Sequence, residues 1–329
     1  MTGYDAVLLV SFGGPEKPED VLPFLENVTR GRGVPKERLD EVAEHYHHFG
    51  GRSPINDQNR ALIAALEAEL VRRGPKMPVY WGNRNWHPFL ADTIRRMKAD
   101  GVERALAFVT SAFSSYSSCR QYKENIAQAC CEAGEKAPAI DKIRVFYNHP
   151  GFLDVVADAA RQAIDALPAG VRGRAAVLFT AHSIPVAMAA TSRYVRQLEE
   201  ASRAVSERLS LSAHRLVYQS RSGSPATPWL EPDVLEAIGE AQASGAPAVV
   251  LVPIGFVSDH LEVLYDLDTE ARALCDRLGI AMTRAATAGT DPRFVSMIRD
   301  LIVERIEGGG EPAGLCGADC CPPPARRGR

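Results

Sequence analysis

His182 closes an apolar run and is followed by a tight turn in Thr180-Ala181-His182-Ser183-Ile184-Pro185. An imidazole aimed out of a strand end can act, when neutral, as a metal ligand or as a proton acceptor near neutral pH. A second run, 258–270, carries Glu262, Asp266 and Glu270 at i, i+4 and i+8, so one helical face gathers three carboxylates. Like charges at that spacing weaken a helix slightly. A row of them beside a very apolar strand therefore suits a divalent cation moving by ligand exchange better than it suits a solvated face. Ser258 or Asp259 is expected to cap this helix. Seven cysteines, at 119, 130, 131, 275, 316, 320 and 321, form the third group. Their odd number argues against a disulfide framework, and three of them crowd into the last fourteen residues. His45, His47 and His48 resemble a metal cluster, but neighbours on a helix point apart, and they read as surface residues.

The elements that must position these groups alternate. Strands are expected at 5–11, 79–82, 105–110 and 143–147, then at 175–180, 215–219, 248–253 and 280–284. Several are continuous apolar runs, the mark of parallel strands covered on both faces. Helical periodicity fills the gaps, notably at 59–73 and at 150–167, which opens on a proline. The expectation is an α/β fold with two similar halves, 1–148 and 149–307, and a cysteine-bearing tail, 308–329. The last helix, 291–306, is free to pack back on the first half. In such sheets ligands bind beyond the carboxyl ends of the strands. The loops that matter are then 12–15, 111–119, 180–185, 219–229 and 255–262.

Composition narrows the classes. The chain has 329 residues, about twice a typical domain. It carries 38 Lys and Arg against 41 Asp and Glu, so it offers no basic footprint for nucleic acid. The uncharged apolar stretch 246–257 is far short of a membrane span of roughly 20 residues. Asp5 precedes the first apolar run, so no secretory signal is expected, and the setting expected is the cytoplasm. No dinucleotide fingerprint, P-loop or nucleophile elbow occurs.

Several segments together carry a resemblance: LLVSFGGP (8–15), TRGRGVP (29–35), FGGRSP (49–54), YWGNRNWHPF (80–89), SSYSSCRQY (114–122), FTAHSIP (179–185), YQSRSG with PWL (218–230) and GFVSDHLEVLYDLD (255–268). From about residue 4 to 306 the sequence resembles the ferrochelatases of the actinobacterial, coproporphyrin-using kind. The resemblance implies two Rossmann-like domains with a porphyrin cleft between them, Fe²⁺ and a porphyrin as substrates, and transient contact with neighbouring haem-pathway enzymes. It implies that His182 and Glu262 face the porphyrin nitrogens, with Asp266 and Glu270 on the approach path of the metal. Ser53 and Tyr122 match porphyrin-contacting positions. Arg30, Arg32 and Arg52 lie in segments like the family's substrate loops, where arginine forks suit the four propionates of coproporphyrin III. Phe12, Tyr46, Phe49 and Trp229 offer flat apolar walls. Phe12 is a departure, since several members carry tyrosine there and its phenol can approach the metal. Some members also share a cysteine in the SSYSSC segment and three near the C-terminus. That implies a [2Fe–2S] cluster on Cys119, Cys316, Cys320 and Cys321, with Cys130 or Cys131 as substitutes and Zn²⁺ as the rival occupant. A protoporphyrin IX ferrochelatase, a cobalt or nickel chelatase, and a non-catalytic tetrapyrrole or iron–sulfur protein are the alternatives.

Overall fold

Runs of aliphatic and β-branched residues build two parallel sheets whose strand order decides which loops converge. The computed structural model describes residues 3–31, 33–222, 226–308 and 320–323. The first sheet holds β1 (Ala6–Ser11), β2 (Val79–Asn83), β3 (Arg104–Val109) and β4 (Ala139–Lys142), in spatial order β2-β1-β3-β4. The second holds β5 (Ala176–His182), β6 (Arg215–Gln219), β7 (Ala248–Val252) and β8 (Ala281–Arg284), in order β6-β5-β7-β8. Every pairing is parallel, so the carboxyl ends of each sheet lie along one edge. Both β1 and β7 are buried along their whole length, which accounts for their unbroken apolar sequence.

One apolar cluster joins the inner faces of the two sheets. It takes Val7, Leu9 and Phe108 from the first sheet and Phe179 and Val250 from the second, with Phe146, Phe152 and Phe294 between them. Phe146 stacks on Phe108 at 5.2 Å and meets Phe294 edge-on at 5.9 Å. Each fully buried ring or aliphatic side chain of this kind contributes about 1.5–3 kcal/mol. The outer faces have their own clusters, Leu8 and Val10 with Ile94 and Ile126, and Leu178 and Leu251 with Val263 and Leu267. The last helix, Pro292–Ile306, is capped by Asp291 and packs on helices Ile55–Arg73 and Pro150–Asp165, so it reaches back to the first half. Arg73 donates to Ser296 Oγ at 2.7 Å across that contact.

Two expectations need correction. The apolar run 143–147 is not a strand; the fourth strand lies just before it, at Ala139–Lys142. Ile143, Val145, Phe146 and Tyr147 instead enter the shared core, so burial rather than sheet pairing explains their character. The carboxylate-bearing helix begins at Leu261 with His260 in the cap position, not Ser258 or Asp259, and no side chain caps it. Asp259 is occupied elsewhere, its N–H donating to Gln58 Oε1 at 2.8 Å and its carboxylate accepting from Arg284. Among the described residues no helix is long and apolar enough to cross a membrane.

Candidate active site

Strand β5 ends on His182, and the loop after β7 passes directly behind that end. Gly255 N–H donates to Thr180 O at 3.0 Å, and a Cβ at Gly255 would lie 2.7 Å from both Cα and Cβ of Ala181. Only glycine permits so close an approach. The turn after His182 is fastened to a second loop, with Val186 N–H donating to Pro228 O at 2.9 Å and Leu230 N–H to Ile184 O at 3.0 Å. His182 Nδ1 lies 2.5 Å from Ser183 O. A carbonyl can only accept, so Nδ1 carries a proton, and whenever the ring is neutral its lone pair is on Nε2. That Nε2 stands 3.7 Å from Glu262 Oε2, and both side chains are partly exposed, at 33% and 44%. A base and a carboxylate thus face open space together.

Glu262 sits on the short helix Leu261–Val263, which continues as a π-helix, Leu264–Ala271. This wider i→i+5 winding is uncommon and recurs at functional sites. The segment is seated in the first half of the molecule. Leu261 is buried among Val21, Phe24, Leu25, Ala43 and Tyr46, with Leu264 packed against them. His45, expected at the surface, stacks on Tyr265 at 3.9 Å, while His47 and His48 are exposed. Tyr46 is buried, and burial together with the Glu262 carboxylate pushes its phenol well above the usual range. Asp266 Oδ2 accepts from Ser220 Oγ and, at 3.3 Å, from Gln219 Nε2. Burial, reinforced by Glu262 and Glu270, pushes the Asp266 carboxyl up to about 7 despite those two bonds. Glu270 is raised as well, chiefly by burial. Half-buried His260 meets Phe256 edge-on at 5.2 Å, and burial lowers its pKa against the pull of Glu262.

The raised Asp266 pKa makes a stability prediction. The folded state holds this proton up to about pH 7, whereas the unfolded chain releases it near 3.8. The contribution to stability is therefore complete below pH 3.8 and is lost as pH rises toward 7. Asp266→Asn should flatten the fall in melting temperature between pH 5 and 8 relative to wild type. Parallel curves for the two proteins would contradict the assignment.

The first sheet positions a second group of side chains. Arg84 sits 5.7 Å above the Phe12 ring and 4.6 Å above the Tyr122 ring, and its Nη1 donates to Ser117 O at 3.2 Å. Phe12 is 36% exposed, whereas Tyr122 is buried beneath the guanidinium. Phe49 is half-buried against the cluster that seats Leu261, and Trp229 is half-buried, its Nε1 hydrogen lacking a partner among the described residues. Ser53 is buried, its N–H donating to Pro15 O at 2.8 Å, and a Cβ on Gly14 would lie 2.7 Å from Ser53 Cβ. The FGGP and FGGRSP loops are therefore in direct contact. Arg52 points outward, and Asp57 already holds its guanidinium. Arg30 is exposed, and Arg32 lies outside the described residues. The pattern of carboxylates and strand ends did not single out Arg84, Gln219, Ser220 or His260. The last three fall within the loops 219–229 and 255–262, and Gln219 is the last residue of β6, beside His182 in register.

The described cysteines do not form a ready site. Cys119 is buried in the π-helical turn Tyr116–Arg120, Cys320 is half-buried, and Cys321 is buried with φ of 54°; Cys316 lies outside the described residues. Among the described residues no three His, Cys, Asp or Glu side chains come together as a group that could hold a metal ion. Cys119, Cys320 and Cys321 are thus not gathered at one centre. Cys130 lines a separate cavity of about 450 Å³ between helix Gln121–Ala133, β4 and the last helix, and Cys131 is exposed. The charges around that cavity pair with one another, Arg144 with Glu304 at 2.8 Å and Arg305 with Asp141 at 4.0 Å.

Known proteins resemble this chain in sequence and in fold. A chain from Rhodopirellula baltica named ferrochelatase is 56% identical, covering 97% of this chain and 93% of its own length. A coproporphyrin III ferrochelatase of Streptomyces coelicolor is 52% identical over 98% of this chain and 95% of its own. The fold also matches the sirohydrochlorin chelatase SirB of Bacillus subtilis subspecies spizizenii in complex with cobalt. That match has a TM-score of 0.53 at 12% identity and covers 93% of this chain and 96% of that one. The ferrochelatase family model spans residues 4–306, both sheets and the His182–Glu262 pair included, and the chain belongs to that family of enzymes.

Proposed function

We propose that this enzyme inserts Fe²⁺ into coproporphyrin III, with His182 and Glu262 at the centre of the reaction. The observation that carries the reading is the 3.7 Å approach of His182 Nε2 to Glu262 at the convergence of three strand-end loops. Metallation removes two N–H protons from the macrocycle, so the site needs an acceptor close to the pyrrole nitrogens. His182 Nε2 has the lone pair for it. A pair of protein groups leaves the remaining metal positions to the porphyrin nitrogens, as suits a metal in transit. Asp266, titrating at about 7, can take a proton on and release it at neutral pH, and with Glu270 it extends an acidic track from Glu262. Phe12, Tyr46, Tyr122 and Ser53 form the walls. Phe12 supplies no oxygen, so metal ligation from that residue is absent here. Arg30, Arg32 and Arg52 stand as propionate donors, Arg52 by exchanging Asp57 for the substrate carboxylate. The two halves, 1–148 and 149–307, act as domains flanking the cleft. The setting is the cytoplasm, where the product passes to neighbouring haem-pathway enzymes by transient contact.

The test is anaerobic incubation with Fe²⁺ and either porphyrin, following the visible bands. Coproporphyrin III should be metallated faster than protoporphyrin IX. Equal rates, or a preference for the divinyl substrate, would move the enzyme to a protoporphyrin role.

A [2Fe–2S] cluster on Cys119, Cys316, Cys320 and Cys321 is the second part of the proposal. Its support is the crowding of cysteine in the tail together with the burial of Cys119 and Cys321, since thiolates are the usual ligands of such clusters. The described thiols are not assembled around one centre, so the cluster itself would have to gather them and fasten the tail. Fe²⁺ insertion transfers no electrons, which leaves the cluster a structural or sensing role. Protein purified without oxygen should be reddish-brown, with iron and sulfide in near-equal amounts. Serine at any of the four positions should remove the colour, and Cys275→Ser should keep it. Colourless protein that carries zinc would decide for the rival site.

A further inference from the structure

Arg284, the last residue of β8, is nearly enclosed, with 14% of its side chain exposed. Its Nε and Nη2 donate to the two carboxylate oxygens of Asp268, each at 2.8 Å, and its Nη1 donates to Asp259 Oδ1 at 3.1 Å. Asp259 lies three residues before Glu262 and Asp268 six residues after it. One guanidinium therefore grips both ends of the segment that carries the carboxylate facing His182. Gln58, from the other half of the molecule, holds the Asp259 N–H in the same place. Between the two gripped residues the chain begins its π-helix, a winding with poorer intrinsic support than an α-helix, so an external tie is what holds its register.

We infer that Arg284 is a positioning residue for metal insertion: by bridging Asp259 and Asp268 it holds Glu262 at its distance from His182. This rests on the assignment of His182 and Glu262 to the reaction. Lysine keeps the charge but not the fork, and a single ammonium cannot reproduce a two-point grip on Asp268 and a third bond to Asp259. Misplacement of a reacting group by about 1 Å costs on the order of a hundredfold in rate, whereas the porphyrin walls lie on other elements.

The decisive variants are Arg284→Lys and Asp268→Asn, the second of which leaves Arg284 bound to Asp259. Steady-state insertion of Fe²⁺ gives kcat and KM, fluorescence quenching gives the porphyrin Kd, and thermal unfolding reports the fold. The expected result is kcat lower by about tenfold to a hundredfold, with porphyrin Kd unchanged within about twofold. A purely structural ion pair would lower melting temperature, porphyrin affinity and turnover together, and that result overturns the inference. So does kcat within about twofold of wild type in the folded variants. Should Arg284→Lys fail to fold, Asp268→Asn decides by the same criteria. His182→Ala, measured alongside, separates the levels. Full turnover in His182→Ala removes the assignment of the reacting pair, whereas its loss with normal Arg284→Lys removes only the positioning role.

Discussion

His182→Ala should bring Fe²⁺ insertion to the background rate while the porphyrin still binds. A positioned general base accounts for about 10²–10⁴ in rate, and in the proposed reaction the same side chain also faces the incoming metal, so its removal takes away two functions at once. Fluorescence quenching should show binding intact, because the stack of Arg84 on Phe12 and Tyr122 is carried by the first half and not by the strand that bears His182. Anaerobic assays over a range of Fe²⁺ concentrations separate the two effects, since extra metal cannot restore a missing proton acceptor. Near-normal turnover in this variant would end the mechanism proposed for the site.

The second large effect is expected at a residue with no chemistry of its own. Gly255→Ala places a methyl group 2.7 Å from Ala181, the residue before His182 in β5, in a region without slack. Overpacking of this sort costs about 1–3 kcal/mol, and relief requires the strand end or the loop to move. Either movement alters the His182–Glu262 separation, because Gly255 leads directly into the segment bearing Glu262. The variant should melt several degrees lower and lose on the order of a hundredfold in kcat. Full activity at an unchanged melting temperature would mean that the loop is looser than its contacts indicate.

The place of His182 at the end of β5 was legible, because the apolar run before it and the serine and proline after it mark a strand end and an exit turn. The carboxylate row was legible from its spacing, but not its winding. Residues at i, i+4 and i+8 stay near one face in both an α- and a π-helix, so their positions do not separate the two. The fourth strand was misplaced because Ala139–Lys142 is a short edge strand ending in Asp and Lys, which reads as a loop, whereas the apolar residues after it read as sheet. Contacts between segments distant in the sequence left no local trace. Nothing in the sequence around Arg84 announces that it will lie over Tyr122, and nothing around Tyr46 announces Glu262 as its neighbour. Arg52 illustrates the converse, since a promising motif position proves to be engaged by Asp57, five residues away.

The π-helix at Leu264–Ala271 constrains the length of this gene segment as well as its composition. Losing one codon there would let the backbone relax into a regular α-helix, a gain in local geometry. Where the wide winding persists instead, a codon lost ahead of Leu267 would turn every later side chain by about 100° about the helix axis. Asp268 would swing away from Arg284, and Leu267 and Cys275 would leave the apolar bed beneath the second sheet. Insertions and deletions, rather than substitutions, are therefore the changes that this stretch of the chain can least absorb.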